Sequence, residues 1–201
     1  RNAEQDWYTA FYDDCEQNNG WVASGYDEID NKYGIPKQWS IVESSSMHIN
    51  DNTITHNGEE YAEEGIYIDE YTNAIIDGNV INHNGEDNSW GPGIFVYYWN
   101  LLSIRNNEIR YNGWDGIFWY EENYGYIGYN TITNNYDSGI WFDGDEQQSA
   151  IVMYNLVSDN EYTGIYINGD WRFDGVFRGN TISNNHWNGV YFDEAGWNYW
   201  D

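Results

Sequence analysis

Leucine and alanine are scarce in this chain of 201 residues, and it has only two prolines and one cysteine. With so few strong helix formers, long helices are disfavoured. The abundant Asn, Gly, Asp, Tyr and Trp suit short strands joined by turns. A single thiol, Cys15, excludes an internal disulfide; it serves either as a small apolar filler or as a link between chains. No apolar run approaches the roughly 18 residues of a membrane span. Basic residues are equally few, 7 Lys and Arg against 34 Asp and Glu, for a net charge of −27. Such a surface repels phosphate backbones, which argues against nucleic acid as a partner. It attracts divalent cations such as Ca²⁺, suits a high-salt medium in which self-repulsion is screened, or serves solubility alone. An aromatic content of 19% separates the chain from disordered acidic tails and predicts a folded protein. The chain opens on Arg1 with no signal-like apolar segment, which fits a processed, exported protein as well as a trimmed one.

What is present is a phrase written six times. Gly followed by Ile or Val recurs at Gly65, Gly93, Gly116, Gly139, Gly164 and Gly189, at spacings of 28, 23, 23, 25 and 25. Asn, any residue, then Ile or Val begins at Asn52, Asn79, Asn107, Asn130, Asn155 and Asn180. Three positions before each of these stands an apolar residue: Ile49, Ile76, Ile104, Ile127, Val152 and Phe177. Five positions after each comes a second asparagine: Asn57, Asn84, Asn112, Asn135, Asn160 and Asn185. A period in this range marks a solenoid, a propeller or an array. Each repeat holds three short apolar segments, one fewer than a propeller blade needs. The leucine framework of leucine-rich repeats and the periodicity of helical repeats are both absent. The remaining architecture is a coil of three short strands, each bonded to its copy one coil away at about 4.8 Å.

Over Trp39–Glu194 these residues resemble the right-handed parallel β-helix repeats of the pectate-lyase-like superfamily, which includes carbohydrate-active enzymes and non-catalytic surface proteins. The resemblance implies an all-β, single-domain solenoid of about six coils, covering residues 39–201. Residues 1–38 lack the repeat and read as an N-terminal arm or cap, with Ile41 and Val42 opening the first coil. In such a coil the recurring asparagines are expected at sharp corners, where Asn tolerates left-handed backbone and its amide can hydrogen-bond along the stack.

Strand alternation sorts the Gly-Ile strands into faces. Ile66, Ile94, Ile117, Ile140, Ile165 and Val190 form one inward column, and Ile68, Val96, Trp119, Phe142, Ile167 and Phe192 a second. Between them Tyr67, Phe95, Phe118, Trp141, Tyr166 and Tyr191 point outward as an aromatic stripe, suited either to a protein interface or to stacking on sugar rings. Trp114, Tyr136, Tyr162 and Trp187 form a further aromatic set before the Gly corners.

Candidate chemistry is sparse. The resemblance implies Ca²⁺ held by carboxylates and an Arg or Lys base for a lyase, but Arg105, Arg110, Arg172 and Arg178 do not stand on the Gly-Ile strands beside an acidic cluster. A hydrolase needs two carboxylates at a set separation. Asp143 and Asp193 fall two coils apart in the column Asp69, Tyr97, Tyr120, Asp143, Asn168, Asp193, about 9.6 Å. Asp143, Asp145 and Glu146, in FDGDE, are the best oxygen set for a hard cation; Asp27, Glu28 and Asp30, and Asp193 with Glu194, are others. His56 and His83 take equivalent places in adjacent coils and are expected to stack. These readings together point to a non-catalytic, extracellular or cell-surface structural protein that self-assembles into a filament, sheath or surface layer. A carbohydrate-binding module and a carbohydrate-active enzyme are the alternatives, with polysaccharide as the partner.

Overall fold

In a computed structural model the described residues are 47–58, 64–85, 91–144, 148–168 and 173–193. They form six successive coils of three strands. The first coil has β1 (Met47–Asn50), β2 (Thr53–Thr55) and β3 (Ile66–Ile68), and the second β4 (Asn73–Asp77), β5 (Val80–Asn82) and β6 (Ile94–Val96). The third has β7 (Leu101–Arg105), β8 (Glu108–Arg110) and β9 (Ile117–Tyr120), and the fourth β10 (Tyr124–Gly128), β11 (Thr131–Thr133) and β12 (Ile140–Asp143). The fifth has β13 (Gln148–Met153), β14 (Leu156–Ser158) and β15 (Ile165–Asn168), and the sixth β16 (Phe173–Arg178), β17 (Thr181–Ser183) and β18 (Val190–Asp193). Like strands pair in parallel into three six-stranded sheets, β1-β4-β7-β10-β13-β16, β2-β5-β8-β11-β14-β17 and β3-β6-β9-β12-β15-β18. The register follows the sequence repeat: Ile140 faces Ile117 on one side and Ile165 on the other. The expected arm, Ile41 and Val42 lie outside the described residues.

The core is the interior of the coil. Ile76, Ile104, Ile127 and Val152 fill it from the first sheet, Ile81, Ile109, Ile132 and Val157 from the second, and the two inward columns as far as Ile165 and Ile167 from the third. Short strands suffice because stacking supplies to each apolar residue a like residue above and below.

Both asparagine columns are continuous ladders. Asn130 is typical. Its Nδ2 donates to Ile104 O at 2.9 Å and to Asn155 Oδ1 at 3.0 Å. Its Oδ1 accepts from Asn107 N at 2.9 Å and Asn107 Nδ2 at 3.0 Å. Asn135 repeats the pattern, with Nδ2 donating to Ile109 O and Asn160 Oδ1 and Oδ1 accepting from Asn112. A shorter third run joins Thr72 N to Asn100 Oδ1 and Asn100 N to Asn123 Oδ1, both at 2.8 Å.

The corner conformation corrects the sequence reading. The left-handed residue is the one before each asparagine: Asp51, Gly78, Asn106, Tyr129, Tyr154 and Gly179 on the first corner, and His56, His83, Tyr111, Asn134, Asp159 and Asn184 on the second. The ladder asparagine turns inward and bonds; its predecessor takes the strained backbone and points its side chain outward. Tyr and His tolerate this place because their rings stack from coil to coil. His56 lies over His83 at 5.2 Å, His83 over Tyr111 at 5.2 Å and Tyr129 over Tyr154 at 5.2 Å. The repeated Gly has a different cause. Gly139 is not left-handed, but a Cβ there would collide with Val157 and lie 2.7 Å from the Gly164 carbonyl oxygen and 2.9 Å from Asn160 Nδ2. Glycine and second-ladder asparagine of the next coil occupy one space between them.

Candidate functional site

The outward face of the third sheet carries the aromatic stripe. Its rings touch through all six coils: Tyr67 to Phe95 at 5.2 Å, Phe95 to Phe118 at 5.0 Å, Phe118 to Trp141 at 5.4 Å, Trp141 to Tyr166 at 5.0 Å and Tyr166 to Tyr191 at 5.3 Å. Beside it runs the column Asp69, Tyr97, Tyr120, Asp143, Asn168, Asp193, in which Tyr97 and Tyr120 stack at 5.7 Å with planes 7° apart.

The stripe is less open than alternation alone suggests. Phe118 is only 7% exposed, because Trp114 lies 4.8 Å away, with Trp141 and Tyr120 also against it. Tyr67 and Tyr191, at the two ends, keep 48% and 40%. Where neighbouring rings lie parallel, as in Tyr97–Tyr120 and Tyr166–Tyr191, their faces are spent on each other. Such pairs turn edges and hydroxyls to solvent, and the free ring faces fall at the ends of the columns.

A family model described as a right-handed β-helix region matches residues 34–199. The chain belongs to the right-handed β-helix family. No curated protein and no solved structure matches it.

On this β-helix the two weak catalytic candidates, Asp143 and Asp193, stand in one outward column with Asn168 between them. Each is engaged by a neighbour. Asn168 Nδ2 donates to Asp143 Oδ1 at 2.7 Å, and the Tyr166 hydroxyl donates to Asp193 Oδ2 at 2.9 Å. Burial first, then the bond to Asp193, raises Tyr166 above its ordinary pKa. Tyr120 is pushed up to about 12, chiefly by its hydrogen bond to Glu121 and then by burial. Burial foremost also raises Tyr67, with Asp69 adding to it. The hydroxyls of Tyr67, Tyr120 and Tyr166 therefore stay protonated near neutral pH. Of the proposed oxygen ligands only Asp143 and Asp193 lie within the described residues; Asp145, Glu146 and the rest lie outside them. Among the described residues no three His, Cys, Asp or Glu side chains come together as a metal site, and no helix is long and apolar enough to cross a membrane. Arg105 pairs with Asp77 at 3.0 Å and Arg110 with Glu108 at 2.7 Å, so both serve coil-to-coil or within-strand contacts.

The β-helix also holds an acid that the sequence reading passed over. Asp115 precedes Gly116 and is wholly buried; its Oδ1 accepts from Ser138 N at 2.9 Å, and its Oδ2 has no partner among the described residues. Burial, reinforced by the nearby Asp137, raises its pKa well above the ordinary value. Asp137 is itself raised, again mainly by burial. Between the ordinary pKa and the raised one, the folded chain holds a proton that the unfolded chain has lost, so stability falls as pH rises through that window. Asp115→Asn keeps the acceptor for Ser138 and cannot ionise. It is expected to raise Tm by a few degrees at pH 7–8, with the gain shrinking as pH approaches 4. Equal gains at pH 4 and pH 8 in thermal melts would show that ionisation of Asp115 is not the cause.

The sixth coil shows the core in section. Val190 is 42% exposed and Phe192 62%, where their counterparts one coil back, Ile165 and Ile167, are buried. Trp187, packed on Tyr162 at 4.2 Å, is also exposed.

Proposed function

We propose that this β-helix is a non-catalytic extracellular or cell-surface structural protein that self-assembles into a filament, sheath or surface layer. The observation that carries the reading is the sixth coil. Val190 and Phe192 present apolar surface that every interior coil buries against a neighbour, and the exposed Trp187 stands on the same coil. The self-packed stripe supports the same reading, since its rings serve as a stiff outer seam more than as open platforms. Light scattering and electron microscopy of the purified chain are expected to show concentration-dependent particles larger than a monomer in high salt. A monodisperse monomer at all concentrations, with and without Ca²⁺, would remove the reading.

The charge of −27 must be screened for copies to meet. Adding Ca²⁺ is expected to enlarge the particles at low ionic strength and a chelator to shrink them; identical sizes in both would assign the charge to salt adaptation or solubility.

A carbohydrate-binding module is the second reading. It is favoured by the aromatic face being bordered by Asp69, Asp143 and Asp193, since sugar sites combine ring faces with hydrogen-bonding groups. Retention of the monomer on an acidic polysaccharide, lost in Trp141→Ser, would put it first. Release of sugar products, lost in Asp143→Asn, would instead favour a carbohydrate-active enzyme.

A further inference from the structure

We propose that the two ends of the asparagine ladders are the halves of one joint, so that the sixth coil of one molecule receives the first coil of a second copy, head to tail. The inference rests on the self-assembly reading and adds its partner, polarity and register.

The ladders have direction. In the interior, each asparagine accepts on Oδ1 from the preceding coil and donates its N–H and Nδ2 to the following one. At the head, Asn52 and Asn57 donate onward to Asn79 and Asn84 at 3.0 and 2.8 Å, but the Oδ1 of each accepts nothing among the described residues. At the tail, Asn180 and Asn185 accept from Asn155 and Asn160, while their own backbone N–H groups have no partner among the described residues. Within the ladders, the unused donors therefore stand at the tail and the unused acceptors at the head. Two tails brought together would oppose donor to donor; a head on a tail completes both ladders. The apolar groups agree, for Ile49 and Ile54 at the head and Phe177 and Ile182 at the tail are all only partly buried against the core. The strands agree too, since β2 and β17 are the opposite edges of one parallel sheet. Within the chain Val80 N donates to Asn52 O and Thr181 N to Asn155 O. By the same register Thr53 N of the second copy would donate to Asn180 O.

Gly189 sets the test. At Gly164 an added Cβ would meet the Gly189 carbonyl oxygen and would sit 2.7 Å from Asn185 Nδ2, so the next coil excludes any side chain. At Gly189 the same Cβ meets, among the described residues, only Ile182, at 3.6 Å, which is ordinary contact. Nothing among the described residues requires glycine there, but a stacked copy would, through its Gly65 carbonyl and Asn57 amide.

Gly189→Ala blocks the tail while meeting no obstruction among the described residues of its own chain. Thr53→Pro removes the head N–H on an edge strand, where proline is tolerated. Both are compared with wild type in about 1 M NaCl, where the Debye length is about 3 Å. Each variant is expected to melt as wild type does and to stay monomeric, and a mixture of the two is expected to stop at a one-to-one dimer. Gly189→Ala added in small amount to wild type should shorten its chains. If Gly189→Ala assembles as wild type does, the joint lies elsewhere and the inference fails while self-assembly stands. Wild type that stops at a dimer untouched by Gly189→Ala would show another joint and overturn the polarity. Monomeric wild type in the same buffer would remove the self-assembly reading itself. Should Gly189→Ala lose its melt, Thr53→Pro with wild type decides alone: failure of Thr53→Pro to shorten wild-type chains overturns the joint.

Discussion

Asn130→Ala is expected to destabilise the chain by about 3 to 5 kcal/mol, close to the largest effects of single substitutions. The side chain makes four hydrogen bonds in a buried corner, two given and two received. Alanine would leave Asn107 N, one Asn107 amide proton and the Ile104 carbonyl without those partners, and each buried orphan costs about 1 to 3 kcal/mol. The rungs on either side cannot close the gap, because the distance between coils is fixed by the strands. Urea melts of wild type and variant measure the difference. A loss under about 1 kcal/mol would mean that water takes the place of the amide and that the ladder is a by-product of the turn.

The second large effect is expected at Gly139→Ala, about 3 kcal/mol or more, at the top of the range for overpacking. The obstruction includes the Gly164 carbonyl oxygen and the Asn160 amide of the next coil, neither of which can move without parting a ladder. The two substitutions also probe one space from opposite sides. Asn160→Ala removes the amide that a Cβ at position 139 would strike. The double variant is expected to lose less than the sum of the single losses, by about 0.5 kcal/mol or more. Strict additivity in a double-mutant cycle would show that glycine is required for some other reason.

The coils, their number and the inward columns could be read from the sequence because each is repeated six times in one register, and repetition turns a weak local preference into a pattern. The ladder asparagines were legible for the same reason. Their conformation was not. The left-handed residues are as unlike as Asp51, Gly78, Asn106, Tyr129, Tyr154 and Gly179, since a backbone requirement costing about 1 to 2 kcal/mol constrains a side chain far less than a hydrogen-bond ladder does. Asp115 was hidden likewise, in a column that runs Glu64, Pro92, Asp115, Ser138, Thr163, Asn188. The direction of Phe118 followed from alternation, but its cover comes from Trp114 and Trp141, which only the folded corner brings together.

The two ladders stand five residues apart in every coil, whereas the interval from the second asparagine to the following glycine is eight in the first coil, nine in the second and four in each later one. From the glycine to the next ladder it is fourteen in the first three coils and sixteen in the next two. One side of each coil thus acts as a fixed gauge and the other two as adjustable margins. The chain can lengthen at its margins without altering the pitch, so surface decoration and axial dimension are inherited separately.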